Sequence, residues 1–242
     1  MVLLSNYELK NYSSSYTRPA YKALLLTLAL MFRSPLLHTA RQTTRIVPRI
    51  LKDTTKNPLT PRHFSDMSRP SGLIAKQGLE VLTFGTPNGH KATILLEELK
   101  AAYGKDYTYQ SISIMENIQK EPWFTKLGPN GRIPVLVDHD ANGLSIMEGQ
   151  AILQYLVRKY DPEHRFGFEK DPEQALCEQW VAWQHGGLGP MQGQANHFYR
   201  LAKERIPYPT QRYVGETERL YGVLDKQLEG KEYLVGGKYS IA

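Results

Sequence analysis

Apolar positions along the chain fall into short continuous runs and helix-spaced stripes from Leu79 onward, with turn residues between them. Residues 79–84 predict a strand that stops at Thr86-Pro87-Asn88-Gly89, where a helical pattern over 89–103 begins with Ile94, Leu95 and Leu99 on one face. A second strand over 107–114 completes a βαβ unit. Glu121-Pro122-Trp123-Phe124 reads as a short helix start, since proline suits the first helical turn. Strands over 134–137 and 144–147 flank the turn pair Asn142-Gly143, which predicts a hairpin, and helix returns over 148–160. The order β-α-β-α-β-β-α is that of an α/β, thioredoxin-like domain over 78–160. Residues 161–172, rich in charge, proline and glycine, predict a linker. Residues 173–199 and 209–228 carry helical periodicity, so the second domain, 172–242, is expected to be all α.

Residues 1–76 do not read as a domain. The apolar run 23–32 spans ten residues, short of the roughly 20 that a bilayer-crossing helix needs. Between residues 32 and 62 seven Lys/Arg stand against one acid, Asp53, among several Ser and Thr, which is the composition of a mitochondrial transit peptide. Arg41, Arg45 and Arg49 would share one helix face. Arg62-His63-Phe64-Ser65 resembles a matrix-protease cleavage pattern, and Met67 offers a second start. The expectation is a mitochondrial matrix protein when this extension is translated and a cytoplasmic one from Met67. A disordered tail, untranslated sequence and a secretory signal with residues 23–32 as its core are the alternatives.

Charge sharpens this division. The chain carries a net +6, but residues 1–77 hold 12 Lys/Arg and 3 Asp/Glu, hence +9, while the remainder holds 18 and 21, hence −3. The basic excess lies outside the predicted domains, so nucleic-acid binding loses its support. Cys177, the one cysteine, allows no intrachain disulfide, zinc-thiolate cluster or Cys-x-x-Cys pair and reads as a buried small hydrophobe. Any thiol chemistry must then use a thiol brought by a ligand.

The junction at Thr86-Pro87-Asn88-Gly89 is where that thiol would be met. Unpaired backbone N–H groups and the positive end of a helix dipole favour an anion there, with Thr86 and Asn88 adding a hydroxyl and an amide. A plain helix cap is the other reading of Asn88.

Four landmarks in order, Thr86-Pro87-Asn88-Gly89-His90-Lys91, Gly131-Arg132-Ile133-Pro134, Met147-Glu148-Gly149 and Gly186-Gly187-Leu188-Gly189-Pro190-Met191 through His197-Phe198, resemble those of glutathione transferases. The resemblance is closest to the fungal nitrogen-regulator-like transferases and the bacterial nu-class glutathione-dependent disulfide reductases. It implies that Asn88 and Thr86 stabilise the thiolate of glutathione. It implies that Pro134 follows a cis bond exposing the backbone of Ile133 to the cysteinyl part, where an ordinary trans proline opening a strand is the alternative. Glu148 and the backbone of Gly149 would meet the γ-glutamyl end. The family usually has Ser where Gly149 stands, so one hydroxyl is lost there. Gln119 matches a contact to the glycyl end and Arg212 a cation near glutathione, with an exposed polar residue and a solvated or dimer-interface arginine as the alternatives. His185 and His197 are assigned to packing or a dimer groove, Trp180 and Trp183 to core or interface, and no metal site is expected.

The resemblance also predicts a Ser-x-x-Asp capping box opening a central helix where the sequence reads Ser240-Ile241-Ala242, so a truncated product is expected. The function implied is a dimeric enzyme using glutathione, either transferring it to a small electrophile or reducing disulfides. The alternative is a non-catalytic regulator of the same fold that binds a protein partner.

Overall fold

The computed structural model describes residues 69–242. Residues 1–68 of the basic extension, with its arginine face, the 62–65 cleavage pattern and the Met67 start, lie outside the described residues. Four strands, β1 (Leu79–Thr83), β2 (Tyr107–Ser111), β3 (Val135–Asp138) and β4 (Leu144–Met147), form one sheet in the order β2-β1-β3-β4. β1 runs parallel to β2 and antiparallel to β3, and β3 pairs antiparallel with β4. Every residue of β1 is buried, because both sheet faces are covered. Leu79 and Val81 pack under the helices α1 (Pro87–Tyr103) and α3 (Gly149–Tyr160), whereas Leu82 joins Ile112, Ile118, Phe124, Val135 and Val137 on the other face. The short α2 (Pro122–Leu127) contributes that Phe124.

Several local details depart from the sequence pattern. The buried stripe of α1 is Ala92, Leu95, Leu96 and Leu99, while Ile94 is 52% exposed. Positions 92, 95, 96 and 99 follow the helical repeat, whereas 94 lies off that stripe. β2 ends at Ser111, after which Ile112 donates its N–H to Thr83 O and turns into the core. The β3–β4 connection is longer than a two-residue turn: Asp138 pairs with Leu144 across a single turn of 3-10 helix, His139–Ala141, closed by Asn142 and Gly143 at positive φ. Asp161 ends α3 with its carboxylate buried, accepting from Tyr103 Oη and from the backbone N–H groups of Arg165, Phe166 and Gly167. Half of the predicted linker is therefore a fixed turn.

The fold also starts earlier than Gly78. Leu73 packs on the second core, and the N–H groups of Ile74 and Ala75 donate to the carboxylate of Glu80 at 3.0 Å each. Glu80 is fully buried in β1 and receives Gln110 Nε2 and His139 Nε2 as well. Residues 72–75 are thus tied to the sheet by one buried acid.

The all-α half begins at α4 (Asp171–Trp183), continues through a π-helical turn, Gln184–Leu188, into α5 (Gly189–Asn196), and ends in a second π-helical turn, His197–Leu201. α6 (Pro207–Gln227) packs against α5, with Leu220 buried. Cys177, Trp180 and Val181 form the buried face of α4. Among the described residues no helix is long and apolar enough to cross a membrane.

Candidate functional site

The start of α1 is set by two residue choices. Thr86 is the N-cap, in extended conformation, and its Oγ1 accepts from Gly89 N at 3.2 Å. Gly89 lies so close to the end of β1 that a Cβ there would sit 2.2 Å from Phe84 O and 2.4 Å from Thr83 Oγ1. Only glycine lets the helix descend this far. The cap is consequently Thr86 and not Asn88, whose side chain, at the second helical position, is exposed in an open cleft of about 450 Å³.

That cleft also takes Ile133, Pro134, Glu148 and Gly149 from the predicted set. The Ile133-Pro134 bond is cis. Glu148 precedes α3 at φ 72, a conformation that costs a non-glycine residue on the order of 1 kcal/mol or more and is typical of functional sites. Its Oε1 accepts from Asn130 Nδ2 at 2.9 Å, and its Oε2 lies 3.2 Å from His185 Nε2. α1 has no acid at its cap or in its first turn, so its positive end is uncompensated beside the cleft, whereas the start of α3 carries Glu148 at its N-cap. A Cβ on Gly149 would meet open space.

Three predicted residues do not line the cleft. Thr86 is spent on the cap; Gln119 is buried in the 3-10 turn Ile118–Lys120, with its Oε1 unpartnered; Arg212 is exposed on α6. Conversely, the cleft includes Lys91, Asn130, Arg132 and His185, which the sequence reading left without a role or assigned elsewhere. His185 was expected in packing or a dimer groove and instead meets Glu148. Lys91 Nζ donates to Gln184 Oε1 at 3.1 Å, and burial holds its ammonium below the ordinary lysine value. Lys91 and Arg132 stood inside the landmarks and were discoverable there; the His185–Glu148 pairing has no local signal. His197 stacks edge-on against Phe198 away from the cleft. Burial pushes the Cys177 thiol up to about 11, so it is inert at neutral pH. No group of three His, Cys, Asp or Glu among the described residues could hold a metal.

The family model "Glutathione S-transferase, N-terminal domain" matches residues 78–158. Over 161 residues the chain is 45% identical to the disulfide-bond oxidoreductase YfcG of Escherichia coli, covering 65% of this chain and 72% of YfcG. The chain belongs to the glutathione transferase superfamily. A glutathione transferase homologue from Lodderomyces elongisporus, solved with two glutathione molecules per subunit, superimposes with a TM-score of 0.64 at 40% identity, covering 68% of this chain and 78% of that one. The Phanerochaete chrysosporium transferase URE2P8, solved with oxidised glutathione, gives 0.64 at 34% identity, covering 69% and 74%. Within the superfamily the chain falls in the branch of YfcG and the Ure2-type transferases. The thioredoxin-like half followed by a helical half is the transferase architecture.

Proposed function

We propose that the chain is a glutathione-dependent disulfide oxidoreductase that holds the glutathione thiolate at the Asn88 amide, with the cysteinyl part at Ile133 and Pro134 and the γ-glutamyl end at Glu148 and Gly149. The observation that carries this reading is the division of labour at α1: Thr86 satisfies the helix start, which frees the Asn88 amide to donate into the cleft beside a positive helix end. The names and ligands of the relatives support it, since YfcG is a disulfide-bond oxidoreductase and the two solved homologues hold reduced or oxidised glutathione.

The chemistry balances with two glutathione molecules. The thiolate of the first attacks a disulfide R–S–S–R, forming the mixed disulfide and expelling RS⁻, which takes up the proton that glutathione lost. The thiolate of the second attacks the mixed disulfide, forming oxidised glutathione and releasing the second thiol. The protein donates no electrons; Cys177 is buried and protonated. Its role is to hold and stabilise the thiolate. Transfer of glutathione to a small electrophile begins from the same thiolate and is the second reading, favoured by the open wall at Gly193, where a Cβ would touch nothing.

A donor to a charged acceptor contributes about 1.5–3 kcal/mol, so Asn88→Ala should lower kcat/KM by about tenfold to a hundredfold. The full chain would be assayed for oxidised glutathione formed from a small dialkyl disulfide and, in parallel, for thioether formed from an aryl halide. Thioether without disulfide reduction selects the transferase reading. Glutathione binding with neither turnover points to a non-catalytic, partner-binding regulator, and absence of glutathione binding refutes the proposal. The homodimer expected of this reading is tested by sedimentation of the same preparation.

A further inference from the structure

We propose that His185 occupies the Glu148 oxygen that a ligand's primary ammonium group must take, so that ligand binding requires an uncharged His185. This rests on the proposed binding of glutathione, whose γ-glutamyl end carries such an ammonium.

The argument begins with the charges lining the cleft. Glu148 is its only carboxylate, against the bases Lys91, Arg132 and His185. An anionic group therefore finds several partners, among them the start of α1, whereas an ammonium finds one. That one acceptor is already engaged on both oxygens, by the neutral Asn130 amide at 2.9 Å and by His185 at 3.2 Å. Of the two, only the imidazole can carry a charge that competes with an ammonium.

The helix that supplies His185 is shaped for this contact. In the π-helical turn Gln184–Leu188 consecutive side chains reach the opposite half of the molecule, Gln184 to Lys91 Nζ and His185 to Glu148. The charged groups that line the cleft with the imidazole are Glu148 at the start of α3, Lys91 on α1 and Arg132 in the loop before β3. α6 meets the same turn through Leu220 against Gly187, an apolar contact. An ammonium arriving on Glu148 would lie within several ångströms of the imidazolium, where like charges at a partly exposed site repel strongly. A ligand ammonium and a protonated imidazole thus compete for the one carboxylate, so acidification opposes binding.

The test isolates the headgroup by using S-methylglutathione, whose sulfur does not ionise, with full-length protein and calorimetric titration at about pH 8 and about pH 5.5, a span across which imidazoles commonly take up a proton. The dissociation constant of the wild type should rise about fivefold or more at the lower pH, and that of His185→Gln and His185→Val by less than about twofold. An analogue with hydrogen in place of the α-amino group should show no such rise in any of the three proteins. Parallel profiles for wild type and both variants, or an equal rise for the des-amino analogue, overturn the role of His185 while leaving glutathione binding intact. Failure of the wild type to bind S-methylglutathione at either pH overturns both readings. Circular dichroism at both pH values establishes that the three proteins are equally folded.

Discussion

Replacing Gly89 by alanine should destabilise the protein, against the usual sign for glycine in a helix. At an open helical site the change stabilises by about 0.5–1 kcal/mol, because the unfolded chain loses freedom and alanine favours helix. At Gly89 the new methyl would sit 2.2 Å from Phe84 O and 2.4 Å from Thr83 Oγ1, and the first of these is backbone that no side-chain rotation can remove. The helix start must lift, and because the obstacle is backbone the cost falls in the upper part of the range typical of overpacking, about 2–3 kcal/mol, leaving a net loss of about 1–2.5 kcal/mol. For a chain of this size that lowers Tm by about 2–10 °C. Gly149 is the matched control: it begins α3 in the same cleft, but its Cβ would touch nothing, so Gly149→Ala should hold or raise Tm. Thermal unfolding followed by circular dichroism at 222 nm, a standard helix wavelength, reads both variants. An unchanged or raised Tm for Gly89→Ala would show that the close approach of α1 to β1 is not a constraint. Because lifting α1 also moves Asn88, Gly89→Ala should weaken glutathione binding as well, which Gly149→Ala should do far less.

Other expectations follow from the buried acids and the basic extension. Asp138 is fully buried; burial raises its pKa, but hydrogen bonds from Tyr155, Tyr160 and Lys159 outweigh this and bring it to about 2. A depressed carboxylate stabilises above its unfolded value near 4 and loses that contribution as the pH falls toward about 2, so urea midpoints should fall below about pH 4, on the order of 2 kcal/mol in all, and Asp138→Asn should flatten that limb. Glu80→Ala strands donors from Ile74, Ala75, Gln110 and His139 and should cost about 3–5 kcal/mol, with residues 69–77 becoming the first site of proteolysis; native-like resistance would contradict the anchoring role. Residues 31–64 fused to a fluorescent reporter should carry it to mitochondria, and a diffuse cytosolic signal rejects the targeting proposal.

What the sequence made legible, and what it did not, divides by the range of the interactions. The strands, the break before α1 and the order of the elements were readable because each is written in neighbouring residues: an apolar run, a turn-forming Thr-Pro-Asn-Gly, a helical stripe, although the cap fell to Thr86 rather than to Asn88. Ile94 was misplaced because a small residue, Ala92, completes the buried stripe and carries little weight in a hydrophobicity pattern. The strap at 72–75 and the fixed turn after Asp161 were invisible for another reason. Each depends on a carboxylate buried among backbone donors, and a lone Glu or Asp in a sequence looks like surface. Yet Glu80 stands in the middle of an otherwise apolar strand, and an acid in that setting needs partners, which is a signal that could have been followed.

The cleft divides the same way. Its thioredoxin-like wall was legible through the family resemblance, since Asn88, Pro134 and Glu148 each sit in a short landmark at a junction between elements. The opposite wall depends on a π-helical turn whose extra residue changes which side chains face inward, and nothing in the spacing of Gln184 and His185 announces it. The consequence is chemical as well as geometric. The groups readable from local sequence are those that would hold the thiol and backbone of a ligand, while those contributed by the turn engage Lys91 and the single carboxylate, Glu148. In the proposed reading the thiol end of this cleft is therefore written locally, whereas the amino end gains its second partner only when the two halves of the chain are folded together.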